Sequence, residues 1–188
     1  MVSEAVRAFL SIDITDQELL SRIEKVQERL DTDAARMKLV EIKNIHYTMR
    51  FLGDTQLNRI HDIKTCLEEV QFNPFEIEVF GVGAFPNIRR PRVIWVGAGQ
   101  NENQISQLKR EIDNSLKKLG YQLEKKYTPH ATIARVRYIK DSQRISLNLE
   151  DLARESIGMM TVSQVTMKKS ILTPSGPIYE TLWKIPIK

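Results

Sequence analysis

His46-Tyr47-Thr48-Met49 returns as His130-Ala131-Thr132-Ile133, 84 residues further along the chain. In each copy a histidine and a threonine stand two residues apart, which puts both side chains on one face of a β-strand. The chain has only 3 histidines, and two of them carry the pattern. Other landmarks repeat at a similar offset: Arg7 with Arg92, Pro86 with Pro174, and Trp95 with Trp183, each tryptophan nine residues beyond its proline. The matching points to an internal duplication, with two similar lobes facing each other across a pseudo-two-fold axis and one His-x-Thr from each lobe in a shared cleft.

Hydrophobic periodicity fills in the elements around the two phrases. Arg7 to Ile14 reads as a strand. Thr15-x-x-Glu18 is a capping box that opens a helix with Leu19, Ile23, Val26 and Leu30 on its apolar face. A polar stretch from Asp31 to Ala35 ends it. Asn44 to Leu52 is the first histidine strand, closed by Gly53-Asp54, with Thr55 capping a helix that uses Leu57, Ile60, Ile63, Leu67 and Val70. Phe75, Ile77 and Val79 alternate with glutamates as in a half-buried strand, and Gly81, Gly83 and Pro86 read as the loop after it. The second half gives a strand over Arg92 to Gly97, then a helix from about Asn103 with Ile105, Leu108, Ile112, Leu116 and Leu119 aligned and Gly120 at its end. After the second histidine strand come a short helical stretch near Glu150 to Ser156, one strand from about Met160 to Leu172, a turn through Pro174-Ser175-Gly176-Pro177 and a last strand from Ile178 to Ile187. The expected fold is α+β: two pseudo-symmetric lobes, each an antiparallel sheet with helices on the outside. Residues 1–188 are expected to form a single bilobal domain, since no long linker separates the halves.

Composition narrows the function classes. With 188 residues, 41% hydrophobic and 28% charged, the chain can bury a full core and is unlike a disordered segment. Its longest apolar runs, such as Val93-Ile94-Trp95-Val96, fall far short of a membrane span, and the N-terminus lacks a signal-peptide pattern, so a cytoplasmic protein with no membrane partner is expected. The net charge of +4 favours an anionic partner mildly. Cys66, the single cysteine, excludes an intrachain disulfide and a multi-cysteine zinc site, and its place in a helix beside Leu67 reads as a small buried group.

Two imidazoles, each with a hydroxyl on the same strand face, suit a reaction that needs a general base and a general acid around an oxyanion. Opening a cyclic phosphodiester needs both: a base for water on one side of phosphorus and an acid for the departing ribose oxygen on the other. Thr48 and Thr132 are placed to donate to the non-bridging oxygens. A metal centre fits poorly, because His-x-Thr offers no second ligand at the usual spacing, and His61 stands in a helix without an acidic partner at such spacing, facing solvent. No metal and no cofactor is expected. Arginine suits phosphate recognition. Strict alternation puts Arg50 on the histidine face and Arg135 on the opposite one, so that Arg135 reaches the site only through a bend or bulge after Ala134. Arg89, Arg90 and Arg92 form a basic loop that either contacts an RNA backbone or is simply solvated.

Taken together, these segments resemble the two-histidine (2H) phosphoesterase superfamily, in particular the RNA 2′,3′-cyclic phosphodiesterases also called 2′-5′ RNA ligases. The resemblance runs through Arg7-Ala-Phe9-Leu-Ser-Ile, His46-Tyr-Thr48-Met-Arg-Phe51-Leu52-Gly53, Gly81-Val-Gly-Ala-Phe85-Pro86 with Trp95, Thr128-Pro129-His130-Ala-Thr132-Ile-Ala-Arg135 and Ser170-Ile-Leu172-Thr-Pro174-Ser-Gly176-Pro177-Ile-Tyr179. It implies that His46, Thr48, His130 and Thr132 are catalytic, that Arg135 contacts phosphate against the strict alternation above, and that Phe51 lines the nucleoside side. It implies a metal-independent enzyme that hydrolyses 2′,3′-cyclic phosphate RNA ends to 2′-phosphomonoesters, tRNA fragments being one source of such ends. A monomer is expected, and His130 is assigned as base and His46 as acid, although a symmetric site runs equally well in either direction. Two alternatives stand beside it. One is ligation of RNA through a 2′-5′ linkage by the reverse reaction, and the other is a non-catalytic RNA-binding adaptor with the same fold.

Overall fold

A computed structural model describes residues 5–124, 126–174 and 176–187. The strands are β1 (Ala5–Asp13), β2 (Ala35–Leu39), β3 (His46–Gln56), β4 (Phe75–Phe85), β5 (Val93–Ala98), β6 (His130–Ile139), β7 (Ser156–Val162), β8 (Gln164–Thr173) and β9 (Gly176–Pro186). The helices are α1 (Gln17–Glu28), α2 (Leu57–Glu68), α3 (Glu102–Lys117) and α4 (Ser142–Leu152). The strands pair antiparallel in the order β7-β4-β5-β6-β3-β1-β8-β9, with β2 added along β6. That order is a palindrome of two lobes, β6-β5-β4-β7 and β3-β1-β8-β9.

The register states the internal symmetry directly. On β1 and β3, Phe9 pairs with Phe51, Leu10 with Arg50, and then, after a shift, Ser11 with Thr48 and Asp13 with His46. On β5 and β6, Val93 pairs with Arg135, Ile94 with Ala134, and then, after the same shift, Trp95 with Thr132 and Gly97 with His130. Every partner is displaced by 84 residues, irregularity included. By this register Arg7 matches Pro91 rather than Arg92. Trp95 matches Ser11 rather than Trp183, which lies on the outer strand β9. The lobes meet where Tyr47 pairs with Ala131, two positions also 84 apart. A contact between equivalent residues is what a two-fold axis requires at its centre.

The helices cover one face of the sheet and leave the other open. α1 starts at Asp16, whose carboxylate accepts from the Leu19 N–H at 2.7 Å. That single cap takes the place of the expected Thr15 capping box. From β1 the helix crosses to the other lobe, packing on β6 and β7, where Arg22 donates to the Ile157 carbonyl. α3 bridges the lobes: it packs on β4 of its own lobe and on β3 of the other, and its Leu108 and Ile112 line a small apolar cavity with Val165 and Ile185 of the opposite lobe. Leu10, Ile23, Tyr47, Met49, Ile94, Ile105, Ile112 and Ile133 are all buried in one continuous core.

Several boundaries differ from the sequence reading. β2 was not anticipated, because an edge strand that exposes Arg36, Lys38 and Leu39 has no clean alternation. Gly53 to Thr55 lie inside β3, so Thr55 caps nothing. Gly81 and Gly83 lie inside β4. Gly81 has φ of 72° at a register shift, and Gly83 leaves room for the Trp95 ring, which a Cβ there would overlap. α4 runs over Ser142–Leu152, starting eight residues earlier than expected, and the single strand proposed from Met160 to Leu172 is β7 and β8, parted at Ser163. Cys66 is buried, with its thiol donating to the Ser115 carbonyl at 3.0 Å. Ser175 of the proposed turn lies outside the described residues.

Candidate active site

Both histidines open their strands, and both are held in the same way. The Nδ1 of His46 lies 2.7 Å from the Asn44 carbonyl, and the Nδ1 of His130 lies 2.7 Å from the Thr128 carbonyl. A carbonyl only accepts, so each Nδ1 carries the hydrogen and each Nε2 of a neutral ring keeps its lone pair for the cleft. Thr48 and Thr132 follow on the same faces, and no described residue engages either hydroxyl. Thr48, Phe51, Phe85, Tyr127 and His130 line a cavity of about 430 Å³ open to solvent.

The surroundings of the two rings differ. His46 packs against Phe9 at 5.1 Å and edge-on against Tyr179 at 5.4 Å between centroids. Behind it Lys168 makes a 2.8 Å ion pair with Asp13, which also accepts from the Ser11 hydroxyl. Burial above all, with the Lys168 and His130 charges, brings His46 down to about 4 against the opposing pull of the Asn44 carbonyl and Asp13. His130 lies edge-on to Phe85 at 4.9 Å and 6.1 Å from Trp95. Burial and the Arg135 guanidinium lower it too, opposed by the Thr128 carbonyl.

Arg135 reaches this site because β6 carries an extra residue. Ile133 is skipped in the pairing with β5, so Ile133 and Ala134 are both buried and Arg135 emerges on the histidine face. The bulge therefore sits just before Ala134 rather than after it. The carbonyl of Ile133 accepts from the Val40 N–H and from the Gln27 amide of α1, both at 2.8 Å. Gln27 also donates to the Val40 carbonyl.

The matching bulge at Met49 corrects the expectation for Arg50. It turns Phe51 to the cleft, 69% exposed, and sends Arg50 to the buried side. There Arg50 pairs with Asp113 at 2.9 Å and donates to the Gln122 carbonyl, while Lys109 bridges Asp113 at 2.5 Å and Glu124 at 2.7 Å. Arg50 is thus an anchor for the 121–124 segment leading into the second histidine strand. His61 is solvent-exposed on α2, and Arg89, Arg90 and Arg92 are exposed in the β4–β5 loop. Sequence reasoning missed Lys168 and Gln27. A lysine within an apolar strand and a glutamine on a helix carry no local signal of what they face.

The chain matches the family model described as AKAP7 2'5' RNA ligase-like domain over residues 8–187. It is 36% identical over 176 residues to the RNA 2',3'-cyclic phosphodiesterase of Methanothermobacter thermautotrophicus, covering 93% of this chain and 95% of that one. Among solved structures, a protein of Thermus thermophilus superposes with a TM-score of 0.80 at 21% identity, covering 96% of this chain and 97% of the other. E. coli LigT in complex with 3'-AMP superposes with a TM-score of 0.75 at 20% identity, covering 98% and 99%.

Proposed function

Because the chain belongs to the two-histidine phosphoesterase family, we infer that its cleft opens 2′,3′-cyclic phosphate ends of RNA to 2′-phosphomonoesters. The observation that carries this reading is the pair of Nδ1-anchored imidazoles, each with an unengaged threonine hydroxyl on the same face. One ring takes a proton from water as the water oxygen bonds to phosphorus. The P–O3′ bond breaks on the far side, and the other ring gives its proton to O3′. Thr48, Thr132 and Arg135 hold the non-bridging oxygens, where negative charge gathers. Phe51 lines the nucleoside side. Both rings are lowered, and burial above all, with Lys168 adding to it, brings His46 down to about 4. That favours His130 as acid and His46 as base, the reverse of the order expected from sequence. The reading also takes the chain as one bilobal domain, a cytoplasmic monomer without metal or cofactor, serving RNA ends such as those of tRNA fragments. No helix among the described residues is long and apolar enough to cross a membrane.

The test is to incubate the protein with an oligonucleotide ending in a 2′,3′-cyclic phosphate and identify the product end against 2′- and 3′-phosphate standards. His46→Ala and His130→Ala each lower turnover at least about a hundredfold, the scale of a lost positioned acid or base. Thr48→Val and Thr132→Val lower it less, His61→Ala leaves it unchanged, and EDTA has no effect. A substrate with sulfur in place of O3′ leaves without a proton and so rescues His130→Ala but not His46→Ala. Wild-type activity in His130→Ala overturns the mechanism. Products joined to a 5′-hydroxyl RNA rather than hydrolysed assign the ligase reading instead.

A further inference from the structure

Beyond Arg135, β2 and β6 bring further cations together at the edge of the open face. Lys38 pairs with Arg135 and Arg36 with Tyr138 across the two strands, and partners in an antiparallel pair share a face. Arg137 is skipped in that pairing, a bulge between the two matched pairs, and is itself exposed. Arg135 marks which face this is, because its charge acts on both His130 and Tyr179 in the cleft. Lys38 reaches the mouth from one lobe toward the other: a Cβ on Gly176 would lie 2.9 Å from its Nζ. Tyr138 is 65% exposed among these cations.

Like charges placed opposite one another on neighbouring strands cost stability. Among the described residues no carboxylate pairs with Arg36, Arg135 or Arg137, a state they share with scattered exposed cations such as Lys25 and Arg110, but here the three lie on two paired strands. The pseudo-symmetric position on the other lobe differs. There Phe51 stands in the place of Arg135, and further out Arg7 faces Asp54. The concentration of positive charge is therefore a property of one lobe, not of the fold's duplicated plan.

We propose that the β2–β6 strip binds the ribose-phosphate backbone of the nucleotides preceding the cyclic end, so that this site selects polynucleotide 3′ ends over free cyclic mononucleotides. The proposal rests on the cleft being the cyclic-phosphate site argued above. From Thr132 to Tyr138 the strip is roughly 20 Å long, enough for a few nucleotides. The arginines supply phosphate contacts, and the exposed Tyr138 ring supplies a stacking surface that reads no particular base.

The experiment compares adenosine 2′,3′-cyclic phosphate with a decamer ending in the same group, for wild type and for Arg36→Gln/Arg137→Gln. Wild type prefers the decamer at least about tenfold in kcat/KM at 50 mM salt, and the preference shrinks as salt rises. The double variant loses most of that preference while its mononucleotide rate stays within about twofold. Tyr138→Ala lowers decamer affinity with the salt slope unchanged. Equal use of both substrates by wild type, or a full decamer preference in the double variant, overturns the proposal. If wild type opens neither substrate, the functional reading fails, and the strip is judged by binding of a labelled decamer with a plain 3′-phosphate. Unchanged affinity and salt slope in the double variant then overturn the strip as well, and a weaker, flatter response upholds it.

Discussion

Gln27 holds the bulge that turns Arg135 toward the histidines, and replacing it measures what that bulge costs. Its buried amide donates to the Val40 and Ile133 carbonyls at 2.8 Å each. Gln27→Met keeps the volume and removes both donors. Ile133 retains the Val40 N–H, so its carbonyl loses one of two partners, worth about 1 kcal/mol. The Val40 carbonyl loses its side-chain donor in a half-buried position, at about 2 kcal/mol. The sum, about 3 kcal/mol, corresponds to a melting temperature lower by about 6–12 °C in a chain of this size. Gln27→Glu is harsher still, because an ionised carboxylate facing two carbonyls has nothing to donate. Urea unfolding reports the stability change as a shifted midpoint at constant slope. Steady-state kinetics on a cyclic phosphate report a raised KM as Arg135 swings away. A Gln27→Met variant within about 0.5 kcal/mol of wild type, or a Gln27→Glu variant no worse than it, would refute the claim that these bonds hold the bulge.

The His46 ring titrates near 4 in the folded protein against 6.5 for an ordinary histidine, so between those values the unfolded chain binds the extra proton and stability rises with pH. Its contribution, about 3 kcal/mol, is complete above pH 6.5 and is lost as pH falls toward 4, so urea midpoints of wild type should drop that much more than those of His46→Asn over this range. Asp113→Asn leaves Arg50 and Lys109 sharing only Glu124 and is expected to cost about 3 kcal/mol in the same assay, whereas Lys64→Ala, at an exposed pair with Glu68, changes the midpoint by less than about 0.5 kcal/mol. Gly83→Ala drives the Trp95 ring off its strand, costing about 1–3 kcal/mol, with a shift in tryptophan emission and lower turnover. Phe51→Ala, at an exposed position, leaves the melting temperature unchanged and raises KM several-fold.

The common face of each His-x-Thr phrase was readable from spacing alone, since period-two alternation holds over the three residues from His46 to Thr48 and from His130 to Thr132. It fails one residue later in each copy. The bulges at Met49 and Ile133 invert the phase, so Arg50 and Arg135 exchange the faces that alternation assigns them. A bulge leaves no mark in composition. It is held from outside the strand, here by Gln27, 106 residues away from the carbonyl it serves. The same reasoning explains Gly81 and Gly83, read as punctuation because glycine usually marks turns. Their real role is to admit a register shift and a tryptophan ring within a strand. β2 escaped because Arg36, Lys38 and Leu39 are all exposed along it, so its five residues show no alternation of buried and exposed side chains to read.

The lobes share a backbone rung at Tyr47 and Ala131, yet α1 lies across the opposite lobe and α3 spans both. Each half of the chain therefore finishes its neighbour, like two hands clasped rather than two plates glued at an edge. Both histidine strands rest on that common core, with Tyr47 buried at the axis and its hydroxyl donating to the Gly97 carbonyl at 2.8 Å. A methylene gained or lost in that core would be felt at both strands, because close-packed interiors transmit changes of volume. In this architecture the frame that carries both histidine strands is built from residues that lie outside the cleft.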